Sequence, residues 1–383
     1  MKIKTQTIDT LLISALMFSS VLPVTLSKIL ISILFSFILL RIFSTNDVFK
    51  YANSKILIFI LFLPVIILSL YHDLKETLRY MTILTIVLGL PFSNFRINYS
   101  IVSKISIYII FYLFITQILI IFDNQTIISF QEYAYKTEWS YVFSSYGANN
   151  TFGLDFFSND NFRAGGLFYN PNILAGVIFL YFLIFKIIER IDKPDKENIN
   201  KILSNIVLII VFFAILLTKS RTVIISFVFF MYFKDTNFKN IKKLKINKKF
   251  IYPLIIVIIT FYLQGERIIS GMFDANDSFI LKYKILFNYI ENDLNLVQIL
   301  FGGTFNIQFD TEYGKLFGAS GLMGVFGYFY FLRLIYKINS DSIAIILSLL
   351  LIAAGSTVFL SLLKISIVLP IIIIICSAKY INS

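Results

Sequence analysis

The chain has 383 residues, 58% of them hydrophobic and 15% charged, with a formal net charge of +12 and a mean hydropathy of +0.82. Soluble domains carry about 25% charged residues, so these values exclude an ordinary water-solvated fold, and the lack of alternating apolar and polar runs excludes a spanning β-barrel. The expectation is an all-α polytopic integral membrane protein of about 12 transmembrane helices with two large extracytoplasmic loops.

The N-terminal part, residues 1–122, holds apolar runs at Leu11–Leu26, Ile29–Phe43, Ile56–Tyr71, Tyr80–Phe95 and Ile101–Phe122. Their lengths approach the roughly 17–25 residues that cross a bilayer as a helix. No small-x-small cleavage site cleanly follows the first run and another begins almost at once, so a retained helix is expected rather than a signal peptide. Residues 123–172 form the first large outer loop, too rich in aromatic residues for disorder.

Residues 173–263 contain central runs at Ile173–Ile188, Ile202–Thr218, Thr222–Phe233 and Phe250–Leu263. Read as one helix, residues 202–233 would hold Lys219 and Arg221 near the bilayer centre at a cost on the order of 5–7 kcal/mol. A helical hairpin divided at "TKSRT" is expected instead. The loop "KDTNFKNIKKLKINKK", residues 234–249, carries seven lysines and belongs on the cytoplasmic side under the positive-inside rule.

Residues 264–315 form the second large outer loop. There Ile280, Tyr283, Phe287, Ile290 and Leu294 recur at helical spacing, predicting helices along the outer membrane face that either pack on the bundle or cap a cavity. Residues 316–383 supply the last three spans, Leu316–Tyr336, Ile343–Leu360 and Ile365–Ala378. With both termini cytoplasmic, 22 of the 34 Lys and Arg fall on inner segments and 12 on outer ones. The positive balance therefore reads as topology, with some contact to anionic lipid, and not as nucleic-acid affinity.

The chemical inventory is narrow. One histidine, His72, and one cysteine, Cys376, give no metal cluster and support neither Ser-His-Asp nor Cys-His catalysis. His72 beside Asp73 reads as a solvated turn residue, and no cofactor or metal is expected. Few charges fall within the spans, which disfavours an ion-coupled transporter. The outer face instead offers Arg163 before the sixth span, Arg221 at the hairpin tip and Arg267 after the ninth span, with Asp310 and Glu312 before the tenth. Such arginines serve either as headgroup anchors or as forks for phosphate oxygens. In "RAGGLFYNPN", Gly165 and Gly166 permit close backbone approach, and Pro171 and Asn172 suit a helix start.

Three stretches resemble the O-antigen polymerase and ligase family of polytopic glycosyltransferases: "FRAGGLFYNPNILAGV", "LLTKSRTVIISF" and "ILFGGTFNIQFDTEYGKLFGASGLMGVFGY". The likeness covers roughly residues 160–335. It implies a bacterial inner-membrane enzyme, independent of metal, acting on an undecaprenyl-diphosphate-linked oligosaccharide, with membrane lipid and a chain-length regulator as partners. By residue, it implies Arg163 and Arg221 as diphosphate contacts, and the Asp310–Glu312 region as the place of the acceptor or base. Arg267 and Asn172 join the substrate-binding set by position. Ligases of the family place a histidine in the outer loop before the late helix, and this chain has none there, which favours a surface-polysaccharide polymerase. A ligase and a non-enzymatic transporter of lipid-linked oligosaccharide are the alternatives.

Overall fold

The computed structural model describes residues 2–44, 95–122, 124–135, 164–168, 171–191, 197–233, 278–292 and 294–302, with scattered helical positions between 317 and 375. Among the described residues every regular element is helical and none is a strand: α1 (Lys2–Ser19), α2 (Val24–Ser44), α3 (Tyr99–Ile121), α4 (Gln125–Tyr135), α5 (Pro171–Ile191), α6 (Glu197–Thr218), α7 (Arg221–Phe233), α8 (Ser278–Asn292) and α9 (Leu296–Phe301), with one 3-10 turn at Gly166–Phe168. The expected spans Ile56–Tyr71 and Phe250–Leu263, and all of Tyr80–Phe95 but its last residue, lie outside the described residues.

The chain divides into two compact units. The first comprises Met1–Leu40, Phe95–Ile224 and Ile367–Ile375, and the second comprises Arg41–Asn94, Ile225–Ser366 and Cys376–Ser383. In the first unit α3, α5 and α6 pack on one another, and α1 packs on α3. α5 is the central helix, buried at every position from Leu174 to Phe185. At its far end Lys186 reaches Glu189 at 2.8 Å and the Ser204 hydroxyl of α6 at 2.5 Å.

α3 begins at Asn98, whose side chain accepts from the Ile101 amide at 3.3 Å. Its inward residues Val102, Ile105, Ile109, Leu113 and Ile120 follow the helical repeat. The outward side is equally apolar, with Tyr108 67% and Ile115 52% exposed. Similar exposed stripes run along α2 (Leu26, Ile29, Ile33, Phe37, Leu40) and α6 (Ile202, Ile206, Ile209, Phe213). Apolar surface of this extent suits hydrocarbon rather than water. Tyr99–Ile121 and Pro171–Glu189 are each long and apolar enough to cross a membrane.

The first two spans differ from expectation. Leu11–Leu26 is not one helix, because α1 ends at Ser19 and α2 starts at Val24. Pro23 has no amide to give the Ser19 carbonyl four residues back. The hydroxyls of Ser19 and Ser20 fold onto the carbonyls of Leu16 and Met17 at 2.6 and 2.8 Å, closing the helix early. α1 and α2 do not pack along each other.

The break has a defined depth. The middle of α1 lies beside the start of α3: buried Asp9 accepts from the Arg96 amide at 2.9 Å, and the Thr10 hydroxyl accepts from the Asn98 amide at 2.9 Å. Its last turn meets Tyr181, halfway along α5, whose hydroxyl donates to the Met17 carbonyl at 2.8 Å and lies 2.5 Å from Ser20 Oγ. Removing that hydroxyl by Tyr181→Phe should cost about 1–2 kcal/mol, the worth of a buried hydrogen bond. Unfolding of the detergent-solubilised protein measures it, and an unchanged midpoint would show that the serines close the turn unaided.

Candidate functional site

The end of the first unit where α3 finishes and α5 and α7 begin gathers two of the three family-like stretches. α3 ends at Ile121 and the chain turns directly into α4, with Asn124 Oδ1 accepting from the Ile127 amide at 3.1 Å. Ile120, Ile128 and Leu167 pack together beneath the turn, and Ile121, Ala164 and Leu217 form a second cluster beside it. The 3-10 turn at Gly166–Phe168 is thereby held between α3 and α4. Buried Gln131 of α4 donates its amide to the Gly166 carbonyl. Gly166 sits at φ +51°, and a Cβ there would come within 2.9 Å of Leu174 Cδ2. Glycine fits because the backbone is left-handed and lies close against the first turn of α5.

The hairpin at "TKSRT" is two helices, as the insertion cost demands. Thr218 ends α6, its hydroxyl donating to the Ile215 carbonyl at 2.6 Å. Lys219 takes the left-handed conformation at φ 48°, which reverses the chain. Ser220 then occupies the cap of α7, its carbonyl accepting from the Ile224 amide at 2.9 Å.

Two hydrogen bonds join the stretches. The Ala164 amide donates to the Leu217 carbonyl at 3.2 Å, and the Ser220 hydroxyl donates to Asn172 Oδ1 at 2.9 Å. The starts of α5 and α7 therefore lie side by side. One turn deeper, Gln117 of α3 donates to the Ala214 carbonyl of α6 at 3.2 Å, locking the two helices beneath them. Adjacent helix N-termini present amides without intrahelical partners and the positive ends of two dipoles, an arrangement that attracts anions.

Of the residues singled out from sequence, Asn172 lies in the first turn of α5 and holds Ser220, which gives it a positioning contact. Arg221 is the first residue of α7. Arg163 lies outside the described residues, although its neighbour Ala164 is bonded to Leu217. Arg267, Asp310 and Glu312 also lie outside them. Sequence reasoning passed over Ser220 and Gln131. Ser220 carried a legible signal, a serine immediately before an apolar run, which is the usual helix cap. Gln131 carried none, because its partner is a backbone carbonyl distant in sequence. Among the described residues no group of His, Cys, Asp and Glu could hold a metal ion.

The Ser220 bond is open to test. Ser220→Ala removes the bond to Asn172 and should lower stability by about 1 kcal/mol, as loss of one partly buried hydrogen bond does, and Ser220→Thr should restore most of it. Equal melting of all three proteins would show that Asn172 and Ser220 do not hold the helix starts together.

Comparison with protein-family models, with curated proteins and with solved structures found no match to this chain.

Proposed function

We propose that this protein is a membrane glycosyltransferase that polymerises a surface polysaccharide, moving a growing glycan from undecaprenyl diphosphate onto a lipid-linked repeat unit at the outer face of the bacterial inner membrane. The observation that supports it most is the Ser220–Asn172 bond, which unites two stretches that resemble the family at paired helix N-termini suited to a diphosphate. In this reading the chain crosses the membrane about 12 times, both termini and the 234–249 loop face the cytoplasm, and the paired helix starts face outward. Arg221 and Arg163 hold the departing diphosphate, with Arg267 as a further contact, and Asp310 or Glu312 takes the proton of the acceptor hydroxyl. No metal enters the scheme, because guanidinium groups and helix amides answer the charge.

A second reading, a transporter of lipid-linked oligosaccharide, draws on the α1–α2 break halfway along α5, since transporters use interrupted helices near mid-membrane. Deletion of the gene followed by electrophoresis of the surface glycan separates the two. A polymerase deletion leaves single repeat units on the surface, whereas loss of a transporter, or of a ligase, leaves no glycan attached. Absence of single units would end the polymerase proposal.

A further inference from the structure

In the second unit, α8 and α9 have one face accounted for. Leu286 and Phe317 pack together, with Tyr289, Ile290, Leu294, Ile299 and Val325 around them. The other side is uncovered and mixed, with Phe287 59%, Leu296 72% and Val297 54% exposed among exposed Lys284, Asn288, Glu291, Asn292 and Asn295. We infer that this side of α8 and α9 is a membrane-contact surface that beds into the boundary between headgroups and acyl chains of a lipid bilayer.

Two observations identify lipid as the occupant. The first is that α9 bonds both amides of its capping box and the amide after its last residue within itself. Asn295 and Gln298 form a reciprocal capping box, at 2.9 and 3.1 Å, and the Gly302 amide returns to the Gln298 carbonyl at 2.7 Å. A short helix entering a bilayer boundary has little water to complete its termini, so self-capping suits that setting. The second is continuity. Gly321 lies so close to the last turn of α9 that a Cβ would stand 2.5 Å from the Leu300 carbonyl carbon. Immediately after it, Leu322, Phe326 and Phe329 stand exposed at helical spacing, on the segment that the sequence reads as a span. The last turn of α9, with exposed Leu300, thus lies beside a segment that carries its own exposed apolar stripe, and one lipid surface can meet both. The mixed apolar and polar perimeter matches a helix lying in the membrane boundary rather than crossing it.

This inference depends on the membrane setting and not on the enzyme reading, so either can fail alone. The chain has one tryptophan, Trp139, which is replaced by phenylalanine. Leu296→Trp, Val297→Trp and, as a control, Asn292→Trp are then introduced singly into the full-length protein, which is reconstituted in phosphatidylcholine vesicles with plain or brominated acyl chains. The expected result is blue-shifted emission from Leu296→Trp and Val297→Trp, largely lost in brominated lipid and resistant to iodide. Asn292→Trp should behave the opposite way. Quenching of the position-296 and position-297 probes by iodide alone would place the surface in water. Resistance to both quenchers would mean that protein covers it, and either outcome overturns the proposal.

Discussion

Lysine in place of Arg221 is expected to leave the surface glycan at short chains or single repeat units, with protein level unchanged. Arg221 opens α7 directly after a cap that is bonded to α5, so the backbone holding it is fixed by two helices. A guanidinium at such a place offers two parallel donors to a phosphate, whereas an ammonium keeps the charge and loses the fork. If the developing charge on the departing diphosphate is met there, removing one such donor costs roughly 10²–10³ in rate. Arg163, one residue before the Ala164 amide that bonds to Leu217, should respond similarly. The measurement is glycan chain length in a deletion strain complemented with each variant. Full-length polymer from both Arg→Lys and Arg→Ala proteins would reduce the two residues to interfacial anchors.

Gly321→Ala should prevent the second unit from assembling as described. The residue has φ +58°, and a Cβ would come within 2.5–2.6 Å of the backbone at Leu300 and Phe301. Neither obstacle is a side-chain tip that can swing aside. Backbone strain in the left-handed region costs about 1–3 kcal/mol, and overpacking adds a similar amount. Together they amount to roughly 3–5 kcal/mol, a large part of a typical folding free energy. Thermal unfolding in detergent and the yield of folded protein report it. A wild-type melting curve would show that α9 does not touch the helix at 321.

Parts of this architecture were legible in the sequence, and the reasons differ by element. The bodies of α3, α5, α6 and α7 follow from apolar runs, of bilayer length in α3 and α5 and shorter in α6 and α7, and the division between α6 and α7 follows from the cost of burying Lys219 and Arg221. The α1–α2 boundary was not legible from hydropathy, which averages over Ser19, Ser20 and Pro23 and so passes across the break. Nor could sequence tell that α5 is central while α3, equally apolar, keeps one side exposed. When a helix is apolar all round, periodicity gives no contrast between a protein-facing and a lipid-facing side. At the site, Arg221 and Asn172 stood out through their motifs. Their common location required the contact between positions 172 and 220, which local pattern does not encode.

The break between α1 and α2 also bears on how the chain is made. Met17 and Ser20 find their partner in Tyr181, and 161 residues separate Ser20 from it. At the usual pace of synthesis that interval is on the order of 10–30 s, during which α1 has been produced and α5 has not. Throughout it, a helix ending among acyl chains would expose polar groups with no water to meet them. α1 can therefore contact the start of α3 through Asp9 and Thr10 well before its last turn finds Tyr181, and its packing is complete only when α5 arrives.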